Sequence, residues 1–272
     1  MVNTFLSWLH QADPQPILFT IGRWQVHWYG LLLAVAIVVA WLIIRQLAKQ
    51  RSFDVNKWDN MLFASLWGGL IGARLYHVIL EWPYYWQQPI DIIKIWQGGI
   101  AIHGAWLGSV VVIGYYAWHY RWSLFSILDI MVLGVIIGQA IGRWGNWFNQ
   151  ELFGLPTNLP WGIYISPAYR LENFTNFDYF HPTFLYESLL NIVLAIILWQ
   201  IYRHWRDNKG LVLSVYIVGY SIIRWSLEWL RIDRTPDLWG WRWPQWFSLL
   251  AILAVLLYWL IRVALPKIKK SV

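Results

Sequence analysis

The chain has 272 residues, of which 58% are hydrophobic and only 13% charged, with 24 Trp, no Cys and a formal net charge of +7. Soluble domains carry about 25% charged residues, so a compact water-soluble surface, a disordered chain and a coiled coil are excluded and a membrane protein is expected. Basic loops on one side of a membrane explain the charge without nucleic acid, and the missing Cys excludes disulfides, thiolate metal sites and a thiol nucleophile of the protein's own.

The first 26 residues do not read as a cleavable signal peptide, because no basic region precedes the apolar part and Asp13, Pro14 and Pro16 interrupt it. Apolar runs near the length that crosses a bilayer then predict seven spans, at about 27–47, 60–80, 99–118, 129–149, 184–202, 211–230 and 246–264. The expected fold is an all-α polytopic membrane protein in which residues 1–272 form a single transmembrane domain. Twelve Lys and Arg, from Arg45 to Lys269 and Lys270, fall in one set of alternate loops, and six in the other: Arg23, Lys94, Arg170, Arg231, Arg234 and Arg242. The richer side is cytoplasmic, which predicts an external N-terminus and a cytoplasmic C-terminus. The connection at about 150–183 is then a small external cap, irregular because of Gly154, Pro156, Pro160 and Pro167. No internal repeat is visible, which weighs against a transporter built from two inverted halves.

Three basic residues stay inside the spans: Arg74, Arg143 and Arg224. A charge at the bilayer centre costs about 2.5–3.5 kcal/mol, so each one asks for a function. With His27, Tyr29 and His103 they lie toward the outer end of five helices that run in both directions, roughly 5–10 Å below the outer interface. The fourth span carries glycines at 134, 138 and 142, a ridge for close helix approach that continues to Asn146 and Gln150, with Arg143 stacked over Gln139. In the sixth span Tyr220, Arg224 and Glu228 share one stripe, and Arg231 follows a turn later. An Arg224–Glu228 pair can be purely structural. Facing Arg143, however, two guanidinium groups at one depth repel unless an anion lies between them, and Arg suits bidentate phosphate recognition. The expected ligand is a phosphate at headgroup level.

His103 follows Gly98-Gly99 and opens the third span on a Gly104/Gly108 ridge. It is either a packing residue or, with an unperturbed pKa near 6.5, a proton acceptor at neutral pH. His27-Trp28-Tyr29-Gly30 reads as an interfacial anchor whose Tyr can hydrogen-bond a headgroup. His181-Pro182-Thr183, with Tyr186 and Glu187 just after it, reads as a helix entry. The histidines at 27, 77, 103 and 181 are dispersed, so no metal and no cofactor is expected.

At these residues the chain resembles the prolipoprotein diacylglyceryl transferases, bacterial inner-membrane enzymes of lipoprotein maturation. The matching stretches are His27 to Gly30, Gly72-Ala73-Arg74, Gly98 to Gly104, Gly138 to Gly154, His181 to Glu187 and Gly219 to Glu228. Their most specific part is Gly142-Arg143-x-Gly145-Asn146-x-x-Asn149-x-Glu151. Trp144 and Trp147 stand where the family often has smaller or other apolar residues, and the cap is short. The resemblance implies transfer of the diacylglyceryl group of phosphatidylglycerol to the lipobox Cys thiol of a prolipoprotein signal peptide, releasing glycerol phosphate. It places this chemistry on the periplasmic side of the inner membrane, with membrane lipids and those two substrates as partners and no nucleic acid.

In that chemistry Arg143 and Arg224 hold the phosphate and stabilise charge on the departing oxygen. His103 takes the thiol proton, Tyr29 positions the reacting groups, and Asn146 and Glu151 orient the arginines or the headgroup. Gly154, Tyr220, Glu228 and Arg74 complete the expected substrate-binding set. The alternative is a transporter or binding protein for anionic lipid headgroups, which needs polar residues on both sides of the midplane. A purely structural bundle leaves three buried arginines unexplained.

Overall fold

The computed structural model describes residues 8–268, so Lys269 and Lys270, counted above on the cytoplasmic side, lie outside the described residues. A backbone in hydrocarbon must satisfy its own hydrogen bonds, and the apolar stretches are accordingly helical. The helices are α1 (Trp28–Gln50), α2 (Val55–Leu80), α3 (Trp82–Gln87), α4 (Ile102–His119), α5 (Leu124–Phe148), α6 (Thr183–Trp205), α7 (Leu211–Glu228) and α8 (Trp243–Ile268). Among the described residues, six are long and apolar enough to cross a membrane: α1, α2, α5, α6, α7 and the Trp243–Ala264 part of α8. The span expected at 99–118 is present as α4, an 18-residue helix whose apolar character is diluted by Gly104, Gly108, Gly114 and a His near each end. Apolar side chains point outward, Val111 being 70% and Leu260 67% exposed, as a hydrocarbon environment requires and water does not permit over such an area.

Besides short 3-10 turns there are three short antiparallel pairs: β1 (Ile17–Ile21) with β2 (Trp24–His27), β3 (Ile163–Tyr164) with β4 (Tyr179–Phe180), and β5 (Asp237–Leu238) with β6 (Trp241–Arg242). The chain divides into two compact units, Trp41–Met131 and the remainder.

In the Trp41–Met131 unit, α2 and α4 pack backbone to backbone. A Cβ built on Gly72 would collide with the Gly104 carbonyl and one on Gly108 with the Gly68 carbonyl. The ridge expected at Gly104 and Gly108 thus meets a matching ridge, Gly68 and Gly72, in the small-residue packing that replaces hydrophobic attraction inside a membrane.

In the other unit the cap has an apolar core of its own. Leu9, Phe153, Ile163, Ile165 and Phe180 are buried together with Trp147 of α5 and Phe184 of α6. The Gln150 side chain ties the cap together: Nε2 donates to the Pro14 carbonyl at 2.9 Å and Oε1 accepts the Ser166 N–H at 2.6 Å. Gly154 bridges to Arg231, which joins the cap to the segment after α7, and Pro156 bridges to Phe180 within the cap.

Candidate active site

The polar end of α5 is where three helices meet. Arg143 Nη2 lies 2.7 Å from Glu187 Oε1 on α6 and 3.4 Å from Tyr220 Oη on α7. The Tyr220 hydroxyl donates to the same Glu187 oxygen at 2.9 Å. On its other side Arg143 Nη1 donates to Asn146 Oδ1 at 3.4 Å, and Asn146 Nδ2 donates in turn to Glu151 Oε1 at 2.8 Å. The Glu187 side chain is only 3% exposed while that of Arg143 is 22% exposed, so the carboxylate is sealed and the arginine is the more open of the two. An added Cβ at Gly142, one residue before Arg143, meets no described atom within 4 Å, so the helix surface beside Arg143 is open as well.

A second set of charges closes the C-terminal end of α7. Arg224 Nη2 stands 2.8 Å from Glu228 Oε2, and Arg242 Nη1, arriving from β6, stands 3.0 Å from Glu228 Oε1. Arg231 Nε pairs with Asp233 Oδ1 at 2.8 Å. Burial raises the pKa of Asp233, yet the hydrogen bond and charge of Arg231, aided by Arg242, outweigh it and hold the carboxyl below the usual carboxylate range. Arg224 Nη1 is buried with no hydrogen-bond partner among the described residues. Tyr220, one turn before Arg224 on α7, is tied to the first set by its hydrogen bonds with Glu187 and Arg143. The sequence argument that an anion must separate these arginines is corrected here. Glu187 and Glu228 supply the counter-charges.

Tyr29, in the first turn of α1, packs on Gly145 of α5; a Cβ there would stand 2.6 Å from Tyr29 Cδ2. The tight approach expected along the ridge at 134, 138 and 142 therefore falls at Gly145, while Gly138 makes only ordinary contact with Ala36 and Ala40. Gly154, expected to bind substrate, serves close packing: a Cβ would lie 2.9 Å from His181 Cβ, the Leu230 carbonyl and Thr183 Cγ2. Glu151 sits between Gln150 and Leu152, whose φ angles of 50° and 56° are in the left-handed region that bulky residues avoid. This turn borders a cleft of about 450 Å³ lined also by Tyr169, Leu171 and Asp233.

Two expected residues belong to the Trp41–Met131 unit. Arg74, 6% exposed, donates from Nε to the Ile92 carbonyl at 2.8 Å, from Nη1 to those of Gly98 and Gly99 at 2.8 and 2.7 Å, and from Nη2 to that of Asp91. These bonds make it the clamp of the 91–99 segment. His103 is exposed at the start of α4, its ring 6.1 Å from that of Tyr76.

Sequence reasoning places Glu187 at a helix entry and Arg242 in a loop, and does not single out Asp233. Glu187 carries a signal that had been available, since it is the one acidic residue in α6 and buried charge is as costly there as for the arginines. The helix entry itself is built as expected: His181 Nδ1 is 3.1 Å from Tyr186 Oη, which accepts the Trp161 indole N–H at 2.8 Å.

A family model described as prolipoprotein diacylglyceryl transferase matches residues 16–261. A phosphatidylglycerol–prolipoprotein diacylglyceryl transferase of Synechocystis sp. is 41% identical over 226 residues, 81% of this chain and 80% of its own. One from Synechococcus sp. is 42% identical over 229 residues, covering 82% and 81%, and one from Acaryochloris marina 41% identical over 229 residues, covering 84% of each chain.

Proposed function

As the chain belongs to the prolipoprotein diacylglyceryl transferase family, we propose that its Arg143–Glu187–Tyr220 and Arg224–Glu228 network holds the phosphate of phosphatidylglycerol during transfer. The protein is a membrane transferase that moves a diacylglyceryl group from phosphatidylglycerol to prolipoproteins, the first step of lipoprotein maturation. Membership in a family of transferases replaces the transporter alternative. The acceptor is the lipobox Cys thiol of the signal peptide, and the network faces the periplasmic side of the bacterial inner membrane, in keeping with the excess of Lys and Arg in the opposite loops.

The reaction makes one bond and breaks one. Sulfur attacks the glyceryl carbon, the carbon–oxygen bond to phosphate breaks, and its electron pair leaves on the oxygen of glycerol phosphate. Charge grows on that oxygen, and fixed guanidinium groups in a low-dielectric setting stabilise it without reorganising. A thiol of pKa near 8.5 must first give up its proton. His103 is the candidate acceptor on chemistry alone, and Tyr29, set against Gly145, orients the reacting groups. Asn146 links Arg143 to Glu151, which keeps the guanidinium turned toward the ligand.

The observation that carries this reading is Arg224 Nη1, a buried donor without a partner. Leaving such a group unsatisfied costs about 1–3 kcal/mol or more, and an anionic phosphate oxygen removes that cost. The test uses purified protein, phosphatidylglycerol labelled in its diacylglyceryl part, and a Cys-bearing lipobox peptide. Arg143→Ala should lower transfer by about 10² or more while the protein still inserts in membranes. Activity within a few-fold of wild type would remove the phosphate role. His103→Gln at wild-type rate removes only the proton-acceptor assignment.

A further inference from the structure

We propose that Gln139 binds an ester carbonyl of the donor lipid, so that the glyceryl carbon under attack is held from two sides, by its phosphate and by its ester. The inference rests on the phosphate lying at Arg143. Gln139 stands four residues before Arg143 on α5, on the same stripe and about 6 Å further from the polar end of the helix. On α7 Tyr216 stands four residues before Tyr220, and the two rings stack with centroids 6.0 Å apart. The hydroxyl of Tyr216 meets Gln139 Oε1 at 3.2 Å, as that of Tyr220 meets Arg143 Nη2 at 3.4 Å. Two polar rungs one turn apart thus join α5 to α7. A polar group inside a bilayer-length helix is costly, and the Arg143 rung alone already ties the two helices together.

The inner rung fixes which way the amide faces. Tyr216 is only 9% exposed, and Gln139 is the partner its hydroxyl has among the described residues. Unless the amide carbonyl faces it, that O–H goes without an acceptor, which a buried hydroxyl avoids. Gln139 Nε2 is therefore turned away from Tyr216, and no hydrogen bond among the described residues takes it. Gln139 is half-buried, and at Gly142, on the adjoining turn, an added Cβ meets no described atom within 4 Å. This opening has hydrogen-bond donors at both ends, the Arg143 guanidinium and the Gln139 amide. A ligand lying along it must bring an acceptor to each. In a glycerophospholipid the carbon that sulfur attacks lies between the phosphate and the carbon bearing the nearer ester. The charged fork suits the anionic phosphate, and the neutral amide suits the neutral carbonyl. Gripping both fixes that carbon for displacement, which is the orientation contribution to rate.

The experiment lets two donors of matched chain length compete for the full chain in the same mixed micelles: phosphatidylglycerol and its dialkyl analogue, in which a methylene replaces each ester carbonyl. Mass spectrometry of the modified Cys peptide gives the ratio of their kcat/KM. Wild type should prefer the diester by about tenfold, because the ether leaves the Gln139 amide unpaired. Gln139→Met, similar in size but without a donor, should bring the ratio to within about twofold of unity. Tyr216→Phe frees the amide to rotate and should lower the preference to about threefold. A wild-type ratio within about twofold of unity, or a preference unchanged in either variant, overturns the proposal. Equal losses on both donors in Gln139→Met put the amide on the phosphate and overturn it as well. Where Gln139→Met does not fold, wild type and Tyr216→Phe decide alone. Arg143→Gln should slow both donors alike, by about 10² or more, with the ratio kept. An Arg143→Gln enzyme at wild-type rate refutes the phosphate role instead.

Discussion

A methyl group at position 145 would stand 2.6 Å from Cδ2 and 3.2 Å from Cγ and Cε2 of Tyr29. Carbon atoms rest at about 3.5–4.0 Å, so in Gly145→Ala the ring has to withdraw by about 1 Å. The helix itself gains from the change, since Ala in a helix interior is favoured over Gly by about 0.5–1 kcal/mol. The two effects act on different observables. Thermal stability should hold or rise, while a displacement of about 1 Å in a group that orients the reaction lowers the rate by about 10². Initial rates with labelled phosphatidylglycerol and Cys peptide, next to thermal unfolding of the same preparation, measure both. Tyr29→Phe keeps the ring and removes the hydroxyl, and the combined variant should be no slower than the slower of the two single ones. A Gly145→Ala enzyme at wild-type rate, or losses that simply add, would refute the placement of Tyr29 in the reaction.

Gly104→Val drives side-chain atoms into the Gly72 carbonyl and Tyr76 Cβ and should cost about 1–3 kcal/mol, seen as a lower Tm; Gly114→Ala on the same helix meets nothing within 4 Å and should leave Tm unchanged or raised. Equal Tm for the two would contradict the backbone packing of α2 on α4. His181, just ahead of α6, is held by burial below its ordinary pKa of 6.5, so the unfolded chain takes up a proton that the folded one resists. Its contribution is complete above pH 6.5 and is lost as pH falls below that value toward the lower folded pKa. Tm followed from about pH 7.5 to 5 should fall more steeply for wild type than for His181→Gln, and parallel curves would argue against it.

The helices were legible because each apolar run is nearly unbroken, and the site because a charge in hydrocarbon has a cost that composition cannot hide. Arg143 and Arg224 stand out on that ground, Asn146, Tyr220 and Glu228 by helix spacing, and they lie in the two charge sets. The same ground applied to Arg74 pointed to a ligand, yet a guanidinium near a helix end can satisfy itself on carbonyls, and no sequence pattern shows which acceptors it will find. Glu187 stood one turn past a His-Pro step and passed for part of a helix entry. Arg242 was invisible for a plainer reason. It belongs to a loop in sequence, and only the return of β6 against the end of α7 brings it to Glu228.

Pairing Arg143 and Arg224 with carboxylates does not disarm a phosphate site, as the donor count shows. A guanidinium has five N–H groups in a rigid fork. Arg143 gives Nη2 to Glu187 and Tyr220 and reaches Asn146 with Nη1, and Arg224 gives Nη2 to Glu228. Each carboxylate therefore offsets the cost of carrying a cation into the membrane while using one edge of the fork. Under the proposed phosphate role, the N–H groups left over are the ones the headgroup would take. A lysine is a point charge with no second edge, and the carboxylate that neutralised it would also occupy it. Under the proposed phosphate role, arginine at both positions meets the need to be paired at rest and still have donors to offer.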